Sequence, residues 1–181
     1  MIGVNIMHKI FITLLFGIFL SQSAMAKTFP TVKEVIESSF PKDTIMTKHN
    51  LVLTKKQFNE IQQKAKAKVD TKIYRYYELT NAEETVGFAL LMFRKVRTKK
   101  TTVIYGFDMN DTLKFTEILA FGEAPEWLPS STWMSQLQNK TPKDALRIGE
   151  DLPTISGATL SARCLSEATR IARAIYEIGL K

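Results

Sequence analysis

The sequence predicts an α+β domain, an antiparallel β meander flanked by helices and closed by a long C-terminal helix opened by a Ser-Gly-Ala-Thr turn. Three observations lead there. Residues 73–121 are dense in Tyr, Ile, Val and Phe and are broken only by short turn-forming stretches. Apolar residues recur at helical spacing on both sides of that stretch. Strands in series, with helices before and after them, belong to α+β architectures and not to alternating α/β ones.

The elements follow in chain order. His8 and Lys9 form a positive n-region, Ile10–Leu20 is an unbroken apolar or small-residue run, and Ala24-Met25-Ala26 is an A-x-A site. That is the pattern of a secretory signal peptide, cleaved after Ala26. The run falls short of the roughly 20 residues that a membrane span needs, so cleavage is favoured over retention as an anchor. The expected mature chain, residues 27–181, is one domain outside the cytoplasm, periplasmic or otherwise exported. Residues 27–84 read as its N-terminal helical part and 85–181 as its core.

Thr31–Phe40 predicts a short amphipathic helix with Val32, Val35, Ile36 and Phe40 on one side. Thr31 and Glu34 make a capping box, and Pro41 ends the helix. Ile45–Leu53 reads equally as an edge strand or a loop. A second helix starts at the cap Thr54, with Phe58, Ile61, Ala65 and Val69 at helical spacing. Ile73–Leu79, Val86–Val96, Thr101–Asp108 and Lys114–Phe121 predict strands, and Asn110-Asp111 marks a hairpin. Ser130–Leu137 predicts a short helix with Trp133 and Leu137 inward. Thr141-Pro142 predicts one more helical turn, since Pro suits the first helical position, and Gly149 ends it. The last helix is expected from Ala158 to Ile178. Its buried stripe is Leu160, Cys164, Ala168, Ile171, Ile175 and Ile178, with Arg163, Glu167, Arg170, Arg173 and Glu177 largely on other faces.

Composition narrows the function classes. The formal charge is +7, and Lys9 is the only charged residue of the signal. A basic surface suits anionic lipid headgroups, an acidic redox partner or nucleic acid, and export argues against nucleic acid. The densest basic runs are Lys64, Lys66 and Lys68, read as a solvated helix face, and Arg94–Lys100. Cys164 is the only cysteine, so no internal disulfide can form, and on the apolar stripe it reads as a buried thiol. His49 is the only histidine of the mature chain. Ser156 and Ser161 therefore lack an evident histidine base for a hydrolase. No Walker loop, dinucleotide fingerprint or zinc spacing is present.

The motif that carries chemistry is Ile155-Ser156-Gly157-Ala158-Thr159-Leu160-Ser161-Ala162. It opens the last helix, and a helix N-terminus offers free N–H groups and a positive dipole end to a phosphate. Thr159 puts a hydroxyl in the first turn. Ser156 is the expected cap, Gly157 permits close approach to the backbone, and Ala158 keeps the rim small. With the flanking residues, from Asp151 to Arg163, and the upstream segment from Val86 to Gly149, this resembles the FMN-binding domain family. That family includes the C subunit of the sodium-translocating NADH:quinone reductase and the G subunit of the Rnf complex. The resemblance covers roughly the C-terminal half of the mature chain.

The resemblance implies FMN joined through its phosphate to Thr159. It also implies a flavin transferase that installs the group from FAD, and a membrane or periplasmic redox partner, with peripheral membrane association a further option. Many members have an Asp six residues before the modified Thr; here Pro153 holds that place and Asp151 lies two residues earlier. Trp127 reads either as a ring neighbour or as a core plug. Glu123 and Glu126 could hydrogen-bond the ring or ribityl chain. Arg163, a turn beyond Thr159, could pair with the phosphate or face solvent. Thr98 and Lys99 precede a strand expected to border the site. The implied function is electron transfer outside the cytoplasm. The alternatives are a reductase of a small acceptor, with Glu126 or Tyr105 as proton donor, and a cofactor-free accessory or assembly protein of a respiratory complex.

Overall fold

A computed structural model describes residues 28–181; the expected signal peptide lies outside the described residues. The α+β expectation holds. Five strands form one antiparallel sheet in sequence order: β1 (Ile45–Val52), β2 (Ile73–Asn81), β3 (Glu84–Lys95), β4 (Lys100–Asp108) and β5 (Leu113–Phe121). Helices α1 (Val32–Ser39), α2 (Lys55–Ala65), α3 (Ser131–Ser135) and α4 (Thr159–Ile175) accompany it, and a π turn, Tyr176–Leu180, ends the chain.

Local chemistry sets the helix starts. The Thr31 and Thr54 side chains each accept from the backbone N–H of the third helical residue, and Glu34 and Gln57 reach back to the cap N–H. Such reciprocal bonds satisfy two orphan donors at once. Ile45–Val52, open between strand and loop in the sequence, is an edge strand paired along its length with β2. Residues 28–84 therefore supply two of the five strands and are not a purely helical part. The β2–β3 hairpin turns on Ala82 and Glu83, both at positive φ (48° and 69°). Neither residue carries the Asn-Gly signal usual for such a turn.

The sheet has helices on both faces. α2 and α4 pack on one face over Tyr74, Leu90, Met92, Val103, Tyr105 and Phe107. Val35 and Ile36 of α1 cover Leu79, Ala89, Leu91, Ile104 and Phe115 on the other. β4 is buried on both faces, as its continuous apolar sequence requires. A Cβ on Gly106 would stand 2.2 Å from the Phe115 ring, so only glycine lets Phe115 lie across β4 and meet Phe40 edge-on.

Three expectations are corrected. Thr141-Pro142 does not start a helix: the Asp144 carboxylate accepts from both the N–H and the hydroxyl of Thr141, which closes a turn instead. Leu160 is 47% exposed, because it falls in the first turn of α4, beyond the edge of the sheet core. Arg173, expected off the buried stripe, is only 8% exposed. Cys164 is buried as expected, its thiol facing the Lys95 carbonyl at 3.7 Å, and burial raises its pKa.

Candidate phosphate-binding hollow at the start of helix α4

The Ser-Gly-Ala-Thr segment is a tight turn feeding α4. Ala158 N–H donates to the Ile155 carbonyl at 3.1 Å. Gly157 lies between them at φ +77°, the third position of a turn that requires left-handed backbone. This corrects the expected cap. α4 starts at Thr159, its N-cap is Ala158, and no side chain caps it. Ser156 stands outside the helix and exposed, because glycine in a left-handed conformation cannot begin the helix. The first N–H groups of α4 are thus left for another acceptor.

Those groups border a hollow of about 240 Å³ lined by Arg97, Trp127 and the segment from Gly157 to Ser161. Thr159 is half-buried there, and its hydroxyl donates only a long bond, 3.3 Å, to the Ile155 carbonyl. Ala158 is buried in the floor and Leu160 exposed at the rim. Trp127 lines the hollow and lies outside the core, on a 3₁₀ turn (Pro125–Trp127). Ser161 fixes that turn to α4 by donating to the Trp127 carbonyl at 2.6 Å. The Arg97 guanidinium stacks over the indole at 4.1 Å, a favourable cation–π distance. Among the described residues no carboxylate lines the hollow, so the guanidinium and the helix end both make its field positive.

Arg97 is the residue that sequence reasoning missed. Its place depends on the 96–99 turn between β3 and β4, which Glu123 holds. One Glu123 oxygen accepts from the backbone N–H groups of Arg97, Thr98 and Lys99 at 2.9, 2.6 and 2.7 Å, and the other from the Thr98 hydroxyl at 3.3 Å. Glu123 is therefore not a ring partner but the clamp of this turn, and Thr98 faces it and not the hollow. The three N–H donors, Lys99 foremost, lower the Glu123 pKa from 4.5 to about 2. A carboxylate depressed in the folded state contributes stability above its unfolded pKa and loses it as pH falls toward the folded value. Glu123→Gln is expected to lower the melting temperature by several degrees at pH 7, and the gap to wild type should close between pH 4.5 and 2. Thermal melts across that range check it.

The remaining candidates fall elsewhere. Glu126 is exposed and does not line the hollow. Arg163 is exposed and borders a separate depression with Arg147 and Glu167, since its side chain leaves α4 away from Trp127. Tyr105 is fully buried, and burial raises its pKa; it cannot reach an acceptor at the surface. Upstream, the Trp133 indole N–H donates to the Pro153 carbonyl at 2.9 Å. The Asp151 carboxylate accepts from Leu146 N–H and Arg147 N–H, each at 2.7 Å. Asp151 is thereby engaged in shaping its own loop. Among the described residues no group of three or more His, Cys, Asp or Glu could hold a metal, and no helix is long and apolar enough to cross a membrane.

No protein-family model, curated protein or solved structure matches this chain. The functional reading rests on the motif and on the geometry of the hollow.

Proposed function

We propose that this protein is an exported flavoprotein that carries FMN through a phosphoester on Thr159 and passes electrons between partners outside the cytoplasm. The observation that carries the reading is the meeting, in one positive hollow, of the Thr159 hydroxyl, the uncapped start of α4 and the Arg97–Trp127 stack. The residues suit the phosphate end of FMN: a hydroxyl to esterify, backbone N–H donors and a guanidinium. At about 240 Å³ the hollow is below the range that buries a whole ligand of this size. Most of the ring would lie at the surface, with Trp127 and the exposed Leu160 as its apolar neighbours.

Bound FMN supplies one- and two-electron redox chemistry at its ring. The chain's own residues hold and tune it. Thr159 anchors the phosphate, Arg97 balances its charge, and Trp127 offers a face for stacking. A tether keeps the effective concentration of the group high where a free cofactor would be diluted. A flavin transferase using FAD would install it, and a membrane or periplasmic reductase would supply electrons.

A carrier is favoured over a reductase because no acid side chain lines the hollow. Glu126 does not line it and Tyr105 is sealed in the core. Flavin-loaded protein is expected to take electrons from reduced dyes and pass them to one-electron acceptors such as cytochromes. It should show no steady turnover with small two-electron acceptors. Sustained turnover of such an acceptor would identify a reductase instead.

Arg97→Ala is expected to leave folding intact, since the Arg97 side chain is exposed and lies over the Trp127 ring at the surface. It should lower flavin incorporation at limiting transferase by roughly tenfold, the ratio that corresponds to one lost hydrogen bond to a charged group. Flavin fluorescence of the denatured chain, normalised to protein, reads this directly.

A further inference from the structure

We infer that the cleft between α2, the 142–147 loop and the last turn of α4 is a second, separate site, which takes a phosphate group. It shares no lining residue with the Thr159 hollow, encloses about 220 Å³, and is bordered by Lys64, Asp144, Arg147, Arg170, Arg173 and Glu177.

Arg173 decides the chemistry. It is only 8% exposed, and its Nη1 donates to the Asp144 carbonyl at 2.7 Å. Among the described residues its Nε and Nη2 find no hydrogen-bond partner. These two nitrogens form the side edge of the guanidinium, where two N–H bonds run parallel. That edge matches two oxygens of an oxyanion. Buried donors are rarely left unpaired, and a guanidinium cannot shed its charge to escape the penalty. Glu177 stands in the same cleft, where its carboxylate favours the Arg173 charge and Lys64 Nζ lies 2.5 Å from its Oε2, an ion pair that offsets its repulsion of an anion.

The rest of the cleft supports one kind of occupant. Arg170 is held rigid by bonds to the carbonyls of Ala65 and Leu146 and to the Ser166 hydroxyl. Arg147 stands at the rim, 3.9 Å from Glu150, and its charge repels that of Arg170. Four cations face two carboxylates across the cleft. The excess of two positive charges matches a dianionic phosphate better than a monocarboxylate. The volume leaves space beside a phosphate for a small substituent, so the source is inorganic phosphate or the phosphoryl end of a small ester.

The test is calorimetric titration of the unmodified mature protein with inorganic phosphate, glycerol 3-phosphate and acetate at constant ionic strength. Saturable binding of phosphate or its ester, on the order of 1 mM or tighter, is expected, with acetate at least about tenfold weaker. Arg173→Met should weaken binding about tenfold or more. The double substitution Lys64→Gln with Arg147→Gln, both at the solvated rim, should weaken it severalfold and keeps the test open if Arg173→Met does not fold. Tighter binding of glycerol 3-phosphate identifies an ester as occupant, and equal binding identifies free phosphate. The proposal is overturned if neither phosphate saturates, if acetate binds as well, or if the rim variant binds as wild type does.

Discussion

Thr159→Ala, exported beside an active flavin transferase, is expected to fold and to carry no covalent flavin. The loss is all or none because the proposed ester needs that oxygen. The Ser161 hydroxyl is buried on the Trp127 carbonyl at 2.6 Å. Ser156 is exposed at the second position of the turn and does not line the hollow. Stability should change little. The Thr159 hydroxyl makes one long hydrogen bond in a half-exposed position, so about 1 kcal/mol or less is at stake. Thr159→Ser keeps the oxygen and should be partly loaded. Gel fluorescence after denaturation distinguishes the three proteins, and equal labelling of Thr159→Ala and wild type would place the attachment elsewhere.

The second large effect concerns the support beneath the motif. Trp133 is 5% exposed, packs in the main core, and donates to the Pro153 carbonyl. That bond ties α3 to the strand of chain that leads into the Ser-Gly-Ala-Thr turn. Trp133→Ala removes a buried aromatic and leaves a cavity, at a cost of about 3–5 kcal/mol. For a domain of this size that is a large share of the total stability. Trp133→Phe keeps much of the packing and removes only the N–H donor, for about 1 kcal/mol. If the bond positions the turn, Trp133→Phe should also lower flavin loading per folded molecule. Denaturant melts measure the first quantity and fluorescence of the labelled chain the second.

The fold was largely legible because its signals are local. The capping boxes at Thr31 and Thr54 stand in plain sequence order, and β3 and β4 read as strands from their apolar runs. The place of the β2–β3 turn is legible between Leu79 and Val86, but its geometry is not, because Ala82 and Glu83 carry no preference for the left-handed backbone they adopt. The phase of α4 was off at its first turn, where Leu160 falls beyond the sheet edge although periodicity assigns it to the buried stripe.

The candidate site was half legible. Thr159 and Ala158 of the motif share one hollow with Trp127, which the sequence leaves between ring neighbour and core plug, and Leu160 is exposed. Arg97 lies in the basic run Arg94–Lys100, where nothing in the sequence distinguishes it from its basic neighbours. Its role depends on Glu123, 26 residues away in sequence, gathering the turn beneath it. For Arg163, helical spacing gives a face shared with Thr159 but not the direction of a long side chain at the helix end. Periodicity likewise points Arg173 outward, and its burial comes with the 142–147 loop, whose Asp144 carbonyl accepts from its guanidinium.

The most direct test of the central claim is the intact mass of the mature protein, exported from a host whose flavin transferase is shown to modify a control. A gain equal to FMN less one water, localised by fragmentation of the tryptic peptide 148–163 to Thr159, is the expected result. An unmodified mass in folded protein would contradict the account.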